Sequence, residues 1–282
     1  MSSNGTKVIK PIKEIIHSNY PSLTKSEQKV ASFVLDNIKR VMYYSVTDLA
    51  DEVGVGETTV LRFCRRLGFK GYQDFKLTLA QNSTDLQAET SAESSDLIQS
   101  ISLNTIESIK HTASMINLED LNEAITILDK AEYIHFYGVG TSGITALDAK
   151  SRFLRIGRRT EVTTDPHLQA MYASTLSEKD VVIGFSVSGS TMDTIHSLEI
   201  AKKSGAKVIA ITYYSRSPIT KIADVVLNGG AKESPLEGGS LTAKISQLFV
   251  VDLLCTGIVL QNKERSMFMK NKTAQSVINK IF

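Results

Sequence analysis

The chain has 282 residues and nearly balances 32 Lys and Arg against 30 Asp and Glu, for a formal charge of +2. That length suits two domains better than one small one, and the composition is that of an ordinary soluble globular protein. No apolar run reads as long enough to cross a bilayer, the polar start Met1–Lys10 has no signal core, and two cysteines, Cys64 and Cys255, are too few for a disulfide framework or a metal site. Both thiols are expected buried in a reducing cytosol, with no metal, no cofactor and no membrane partner.

The small net charge hides an uneven distribution. Residues 1–82 hold 12 basic and 8 acidic side chains, residues 83–104 hold four acids and no base, and the remainder is close to neutral. A basic head on a neutral body points to a polyanion as partner of the head alone. The head reads as helices only. Val30, Phe33, Val34 and Ile38 recur on one face of a helix over about Ser26–Ile38, and Thr24 stands three residues before Glu27 as in a capping box.

The stretch from Ser45 to Gly68 predicts two helices around a tight turn. Ser45 or Thr47 caps the first, Leu49, Ala50 and Val53 form its apolar face, and Gly54 supplies the left-handed residue after it. Val55 anchors the turn, Gly56 starts the second helix, and Val60, Leu61, Cys64 and Leu67 face inward. The opposite face presents Glu57, Thr58, Thr59, Arg62, Arg65 and Arg66. Short hydrogen-bonding residues followed by arginines suit a helix lying in the major groove of double-stranded DNA. Thr58 and Thr59 are candidates for base edges or phosphates, Arg62 for a guanine or a phosphate, and Arg65 and Arg66 for the backbone. Glu57 would repel a phosphate, so it is assigned to a cytosine amino group.

Around this motif, Leu23–Ala31 (LTKSEQKVA) and Val60–Lys76 (VLRFCRRLGFKGYQDFK) resemble the RpiR-type family of bacterial regulators. The resemblance implies a helix-turn-helix transcription regulator, most often a repressor.

Residues 83–95 are polar and poor in large apolar groups, and an acidic linker is assigned over 83–105. Helices follow at about Ile98–Met115 and Leu118–Asp129. From Tyr133 onward the pattern alternates. Short apolar runs at Tyr133–Tyr137, Thr160–Thr164, Val181–Ser186, Lys207–Thr212 and Val225–Leu227 are separated by helical stretches, and a last helix spans Leu241–Leu260. That alternation predicts a parallel sheet covered on both faces, a three-layer α/β body over residues 106–282 joined to an all-α head over 1–82.

Two loops in the body carry chemistry. Gly138-Val-Gly-Thr-Ser-Gly143 follows the first strand and formally matches a dinucleotide fingerprint, with Asp165 at a suitable distance for a ribose. Ser186-Val-Ser-Gly-Ser-Thr191 follows the third strand and leads into a helix. Ser186, Ser188, Ser190 and Thr191 set hydroxyls beside a helix N-terminus, and Gly189 permits the tight turn. Such a loop holds a phosphate with hydroxyls, amides and the helix dipole, without a cation. In a dinucleotide site it would have no task.

The pair of loops resembles the sugar isomerase (SIS) domain over about Ala131–Cys255, through the motif Ser186-x-Ser188-Gly189-x-Thr191. The resemblance implies a Rossmann-like body that binds phosphosugars, with Ser186, Ser188 and Thr191 on the phosphate and Gly140, Thr141 and Ser142 assisting. It also places Glu233 where catalytic relatives keep a general base, here assigned to sugar hydroxyls, and His167 beside the ligand. A ring-opening acid or base is often a His, and no His follows His196, so no catalytic residue is expected.

The combined expectation is a cytoplasmic, non-enzymatic regulator of carbohydrate genes, a dimer or tetramer controlled by a sugar phosphate. Two alternatives stay open: a sugar-phosphate isomerase or lyase with a helical accessory head, and a regulator that responds to a dinucleotide.

Overall fold

The computed structural model describes residues 11–82 and 94–280 except residue 237. It divides into two compact units, residues 1–95 with 233–238, and residues 96–232 with 239–282.

The first unit is helical: α1 (Ile12–Asn19), α2 (Lys25–Asp36), α3 (Ile38–Val41), α4 (Val46–Val53), α5 (Glu57–Arg66) and α6 (Tyr72–Gln81). Its core joins Ile16, Val30, Val34, Leu49, Val60, Phe63, Phe75 and Leu79 from all the longer helices. The expected cap of α2 is present: the Thr24 hydroxyl accepts from the Glu27 amide, while the Glu27 carboxylate takes the Thr24 amide at 2.8 Å. The apolar pattern extends to Ile38, yet α2 stops at Asp36. Asn37 leaves helical geometry there, and α3 starts afresh.

Residues 83–93 lie outside the described residues. The linker assigned to 83–105 needs correction in its second half, because α7 runs from Ser94 to Met115. The C-terminal half of α7 packs into the body, where Thr112 is fully buried and the Ser108 hydroxyl lies 2.7 Å from that of Ser246.

The second unit continues with α8 (Leu118–Lys130), β1 (Tyr133–Tyr137), α9 (Thr141–Arg155), β2 (Thr160–Thr163), α10 (Pro166–Ser174), β3 (Asp180–Phe185), α11 (Met192–Lys203), β4 (Lys207–Thr212), β5 (Val225–Asn228), α12 (Leu241–Gln261) and α13 (Lys263–Gln275). Between β4 and β5 the helical stretch expected is only a short 3-10 turn, Pro218–Lys221. All strand pairs are parallel, in the order β2-β1-β3-β4-β5.

Alternation within each strand sorts side chains to the two faces. Ile134, Phe136, Ile183, Phe185, Ile209 and Ile211 meet α8, α9 and α12, whereas Tyr137, Val182, Val208 and Ala210 meet α10 and α11. This is the three-layer body expected.

One exclusion is overturned. α12 is long and apolar enough, by length and composition alone, to cross a membrane. Its buried residues Ala243, Val250, Val251, Leu254 and Ile258 instead form part of the body's core. An apolar helix buried in protein and one buried in lipid share a composition, because both media exclude water.

Candidate functional site

The strand order reverses between β1 and β3. From β1 the chain crosses to β2 on one side, and from β3 it proceeds to β4 and β5 on the other. The loops after these two neighbouring strands therefore open a crevice at their carboxyl ends, where open α/β sheets bind ligands. They are the two loops singled out above.

In the second loop the Ser186 and Thr191 hydroxyls lie 2.9 Å apart, closing the loop across its base. The Ser190 amide donates to the Ser188 hydroxyl at 3.3 Å, and the Gly189 amide to the Ser186 carbonyl at 3.0 Å. Gly189 adopts φ +61, and a Cβ on it would stand 2.1 Å from the Ser217 hydroxyl and 2.9 Å from that of Thr212. The Thr212 hydroxyl and the Tyr213 amide hold the Val187 carbonyl, and the Ile219 amide holds that of Gly189. The loop is thus clamped from below by the ends of β4 and the 3-10 turn. It leads directly into α11, whose N-cap is Thr191. Ser188, Ser190 and Thr191 are partly exposed, so hydroxyls and first-turn amides converge where the helix dipole is positive.

The first loop is bent by Gly140, with φ 57 and ψ −130, a conformation that suits only glycine. A Cβ at Gly138 would meet the Ser142 backbone at 2.9 Å. Thr141 is exposed and Ser142 nearly buried at the start of α9. Neither Gly138–Gly143 nor Ser186–Thr191 contains a Lys or Arg. What the loops themselves offer an anion is hydroxyls and amides.

Sequence reading missed the supports. Gln169 of α10 is fully buried and donates to the carbonyls of Gly138 and Thr163 at 3.1 and 2.7 Å, tying the first loop to β2. Thr212 and Ser217 brace the second loop. A buried glutamine amid helix residues carries no local signal, because its partners are distant backbone carbonyls.

His167 is exposed in the first turn of α10. It follows Thr164, whose methyl sits where a Cβ on Gly143 would fall, at 2.9 Å. Asp165 caps α10: its carboxylate accepts from the Leu168 amide at 2.9 Å. Glu233 lies in the irregular stretch between β5 and α12, within the residues grouped with the first unit. Tyr137 is buried under α10 and α11, and the Tyr213 amide donates to the Val187 carbonyl of the second loop.

The head presents its turn as expected. Ser45 caps α4 with Asp48 returning the bond at 3.0 Å; Gly54 has φ 70, and the Val55 amide reaches the Ala50 carbonyl at 2.8 Å. On α5, Thr58, Arg62 and Arg65 are exposed at the spacing of one helix face, with Thr59 half-exposed beside them. Two residues are held within the head. The Thr47 hydroxyl donates to the Glu57 carboxylate, joining α4 to α5. Arg66 donates to the Ser22 carbonyl at 2.7 Å and pairs with Glu27 at 3.6 Å. Phe63, passed over in the sequence, is fully buried and meets Phe75 edge-on at 5.6 Å. Burial pushes the Cys64 thiol up to about 12, so it stays protonated and inert.

A helix-turn-helix head followed by a parallel α/β body with two glycine- and hydroxyl-rich loops at its switch point defines a class of transcription regulator. Residues 10–85 match the helix-turn-helix domain of the rpiR family, and residues 127–257 match the SIS domain. A Haemophilus influenzae protein described as an uncharacterized HTH-type transcriptional regulator is 38% identical over 273 residues, 93% of this chain and 95% of that one. The Vibrio vulnificus NanR protein, solved in complex with ManNAc-6P, superposes with a TM-score of 0.87 at 31% identity, covering 96% of this chain and 100% of that one. The bifunctional protein glk of Burkholderia thailandensis is 34% identical over 254 residues, 88% of this chain but 40% of that one. The chain belongs to the rpiR family of helix-turn-helix transcriptional regulators with a C-terminal SIS domain.

Proposed function

We propose that the protein controls carbohydrate genes from the cytoplasm, as a homo-oligomer whose affinity for double-stranded DNA is set by a sugar phosphate bound between the two body loops. The observation that carries this reading is the hydroxyl-rich cradle at the switch point, with Ser186, Ser188, Ser190 and Thr191 at the N-terminus of α11 and Gly140, Thr141 and Ser142 at that of α9. The likeness to NanR bound to ManNAc-6P makes N-acetylated hexosamine 6-phosphates the first ligands to try. His167 and Glu233 are carried over from the family as contacts to sugar hydroxyls rather than as acid and base, so the reading is a sensor and not an isomerase. The role of Asp165 as a helix cap favours the sugar phosphate over a dinucleotide.

On DNA, Thr58, Thr59, Arg62 and Arg65 are assigned to the groove and its phosphates. Glu57 and Arg66 are reassigned to the packing of the head, because their side chains are engaged there. Effector binding shifts the population of two arrangements of the heads, by the ligand's differential affinity for them. Repression is the direction that the family resemblance supplies.

Thermal melting with a panel of hexose, pentose and N-acetylhexosamine phosphates, with NAD as control, tests the reading. A ligand bound only to the folded state raises the melting temperature. One sugar phosphate should do so, Ser188→Ala with Thr191→Ala should abolish that shift, and operator binding without ligand should persist. Response to NAD alone, or turnover of a sugar phosphate, sinks the proposal. A promoter reporter in a deletion strain reads the direction of control, and sedimentation of the purified protein reads its assembly.

A further inference from the structure

The opposite edge of the sheet carries a second concentration of charge. A cavity of 470 Å³ opens at the amino ends of β1 and β2, lined by Asp129, Lys130, Glu132, Arg158, Arg159 and Arg265 among others. Its floor is Arg158, only 5% exposed, which donates to the Asp129 carbonyl at 2.7 Å and pairs with the Asp129 carboxylate. The other acid, Glu132, is paired with Lys179 at 3.2 Å. Both carboxylates of the lining are therefore engaged. Lys130, Arg159 and Arg265 have no carboxylate partner among the ion pairs of the described residues.

Arg159 and the helix that carries Arg265 are held in place. Arg159 lies over the Tyr133 ring, its guanidinium carbon 5.5 Å from the centroid. Arg265 comes from α13, which is seated on the turn after α9. Gly157 there has φ +80, and a Cβ on it would meet Met269 at 2.4 Å. The Thr273 hydroxyl fixes the same helix to the Arg155 carbonyl at 3.2 Å. Bringing Arg265 toward an already desolvated Arg158 is unfavourable by like-charge repulsion, and burial together with that charge holds the Arg158 guanidinium down to about 10. Fold stability gains nothing from that approach. An anion between the guanidinia would reverse its sign.

We propose that this cavity is a second ligand site, for a small phosphorylated molecule with at least two negative charges. Planar guanidinium forks match phosphate oxygens. The cavity is within the size range of small-molecule sites and larger than one phosphate group needs. Because it lies at the amino ends of the strands, it is separate from the cradle at their carboxyl ends and does not depend on the role given to that cradle.

Calorimetric titration of the full chain with inorganic pyrophosphate at low salt tests the proposal, with a dicarboxylate as comparison. Wild type should bind pyrophosphate in preference to the dicarboxylate. Arg159→Ala with Arg265→Ala should weaken binding by at least about tenfold, while Ser188→Ala with Thr191→Ala should leave it intact. Both arginines are exposed, so the unliganded melting temperature should stay near that of wild type, and affinity for the cradle's ligand should be kept. No binding by wild type, equal affinity in the arginine variant, or loss of binding in the cradle variant would overturn the proposal. So would an arginine variant that keeps pyrophosphate but loses operator DNA, which would make this face a DNA contact.

Discussion

Gly189 and Lys76 show how single side chains set the limits of each unit. At Gly189 the left-handed backbone and the two hydroxyls beneath it leave no room for a Cβ. Gly189→Ala should cost about 1–3 kcal/mol of stability from backbone strain and remove the effector response. An alanine variant that still answers the ligand would mean that the loop need not hold this shape. Lys76 is 4% exposed and donates to the Tyr44 carbonyl at 2.9 Å, and burial pulls its ammonium down from 10.5 to about 8. Below pH 8 the folded and unfolded chains both carry this proton, so its contribution is flat and unfavourable. Between about pH 8 and 10.5 the unfolded chain holds more protons than the folded head, and stability must rise with pH across that window. Lys76→Met should flatten the rise, measured as the denaturant midpoint at pH 7 and pH 10. The Tyr72 hydroxyl at 3.2 Å still satisfies Tyr44 in that variant. An equal rise in both proteins would move the effect elsewhere.

At the scale of elements, α5 has two faces with separable tasks. Its inner face is fastened by Phe63, Val60 and Cys64, and its ends by the Thr47–Glu57 and Arg66–Glu27 contacts. Phe63→Ala should cost about 3–5 kcal/mol, the range for emptying a buried aromatic site, and should lower the melting of the head. Its outer face should behave oppositely. Arg62→Ala should leave melting unchanged but weaken operator binding by about 1–3 kcal/mol if it reads a base. If it touches only a phosphate, binding should fall evenly over all sequences and the salt slope should drop by about one. Normal operator affinity would remove this helix from the groove.

Across the whole molecule, the head and the body each have apolar cores of their own. The head's core is built from short helices with caps and turns of their own. The body's core depends on strands far apart in sequence, since β1 pairs with both β2 and β3. A ligand of the cradle should therefore raise the melting of the body and leave that of the head where it was, read by scanning calorimetry as two transitions. A single transition shifting as one would mean that the units unfold together.

The sequence by itself determined the local devices: the Thr24–Glu27 box, a cap at Ser45 or Thr47, the left-handed Gly54, the five strands and the two loops. Each depends on residues within a few positions of one another, so spacing suffices to reveal it. Tertiary structure decided what those residues are free to do. Glu57 and Arg66 look like groove contacts on a helical wheel, but partners ten and about forty residues away hold them within the head. Asp165 looks like a ribose ligand and caps a helix. Gln169, Thr212, Ser217 and α13 went unread because their roles rest on carbonyls, hydroxyls and turns brought close only by the crossovers of the sheet. α12 reads as apolar throughout, and whether such a helix meets lipid or protein is settled by what the fold packs against it.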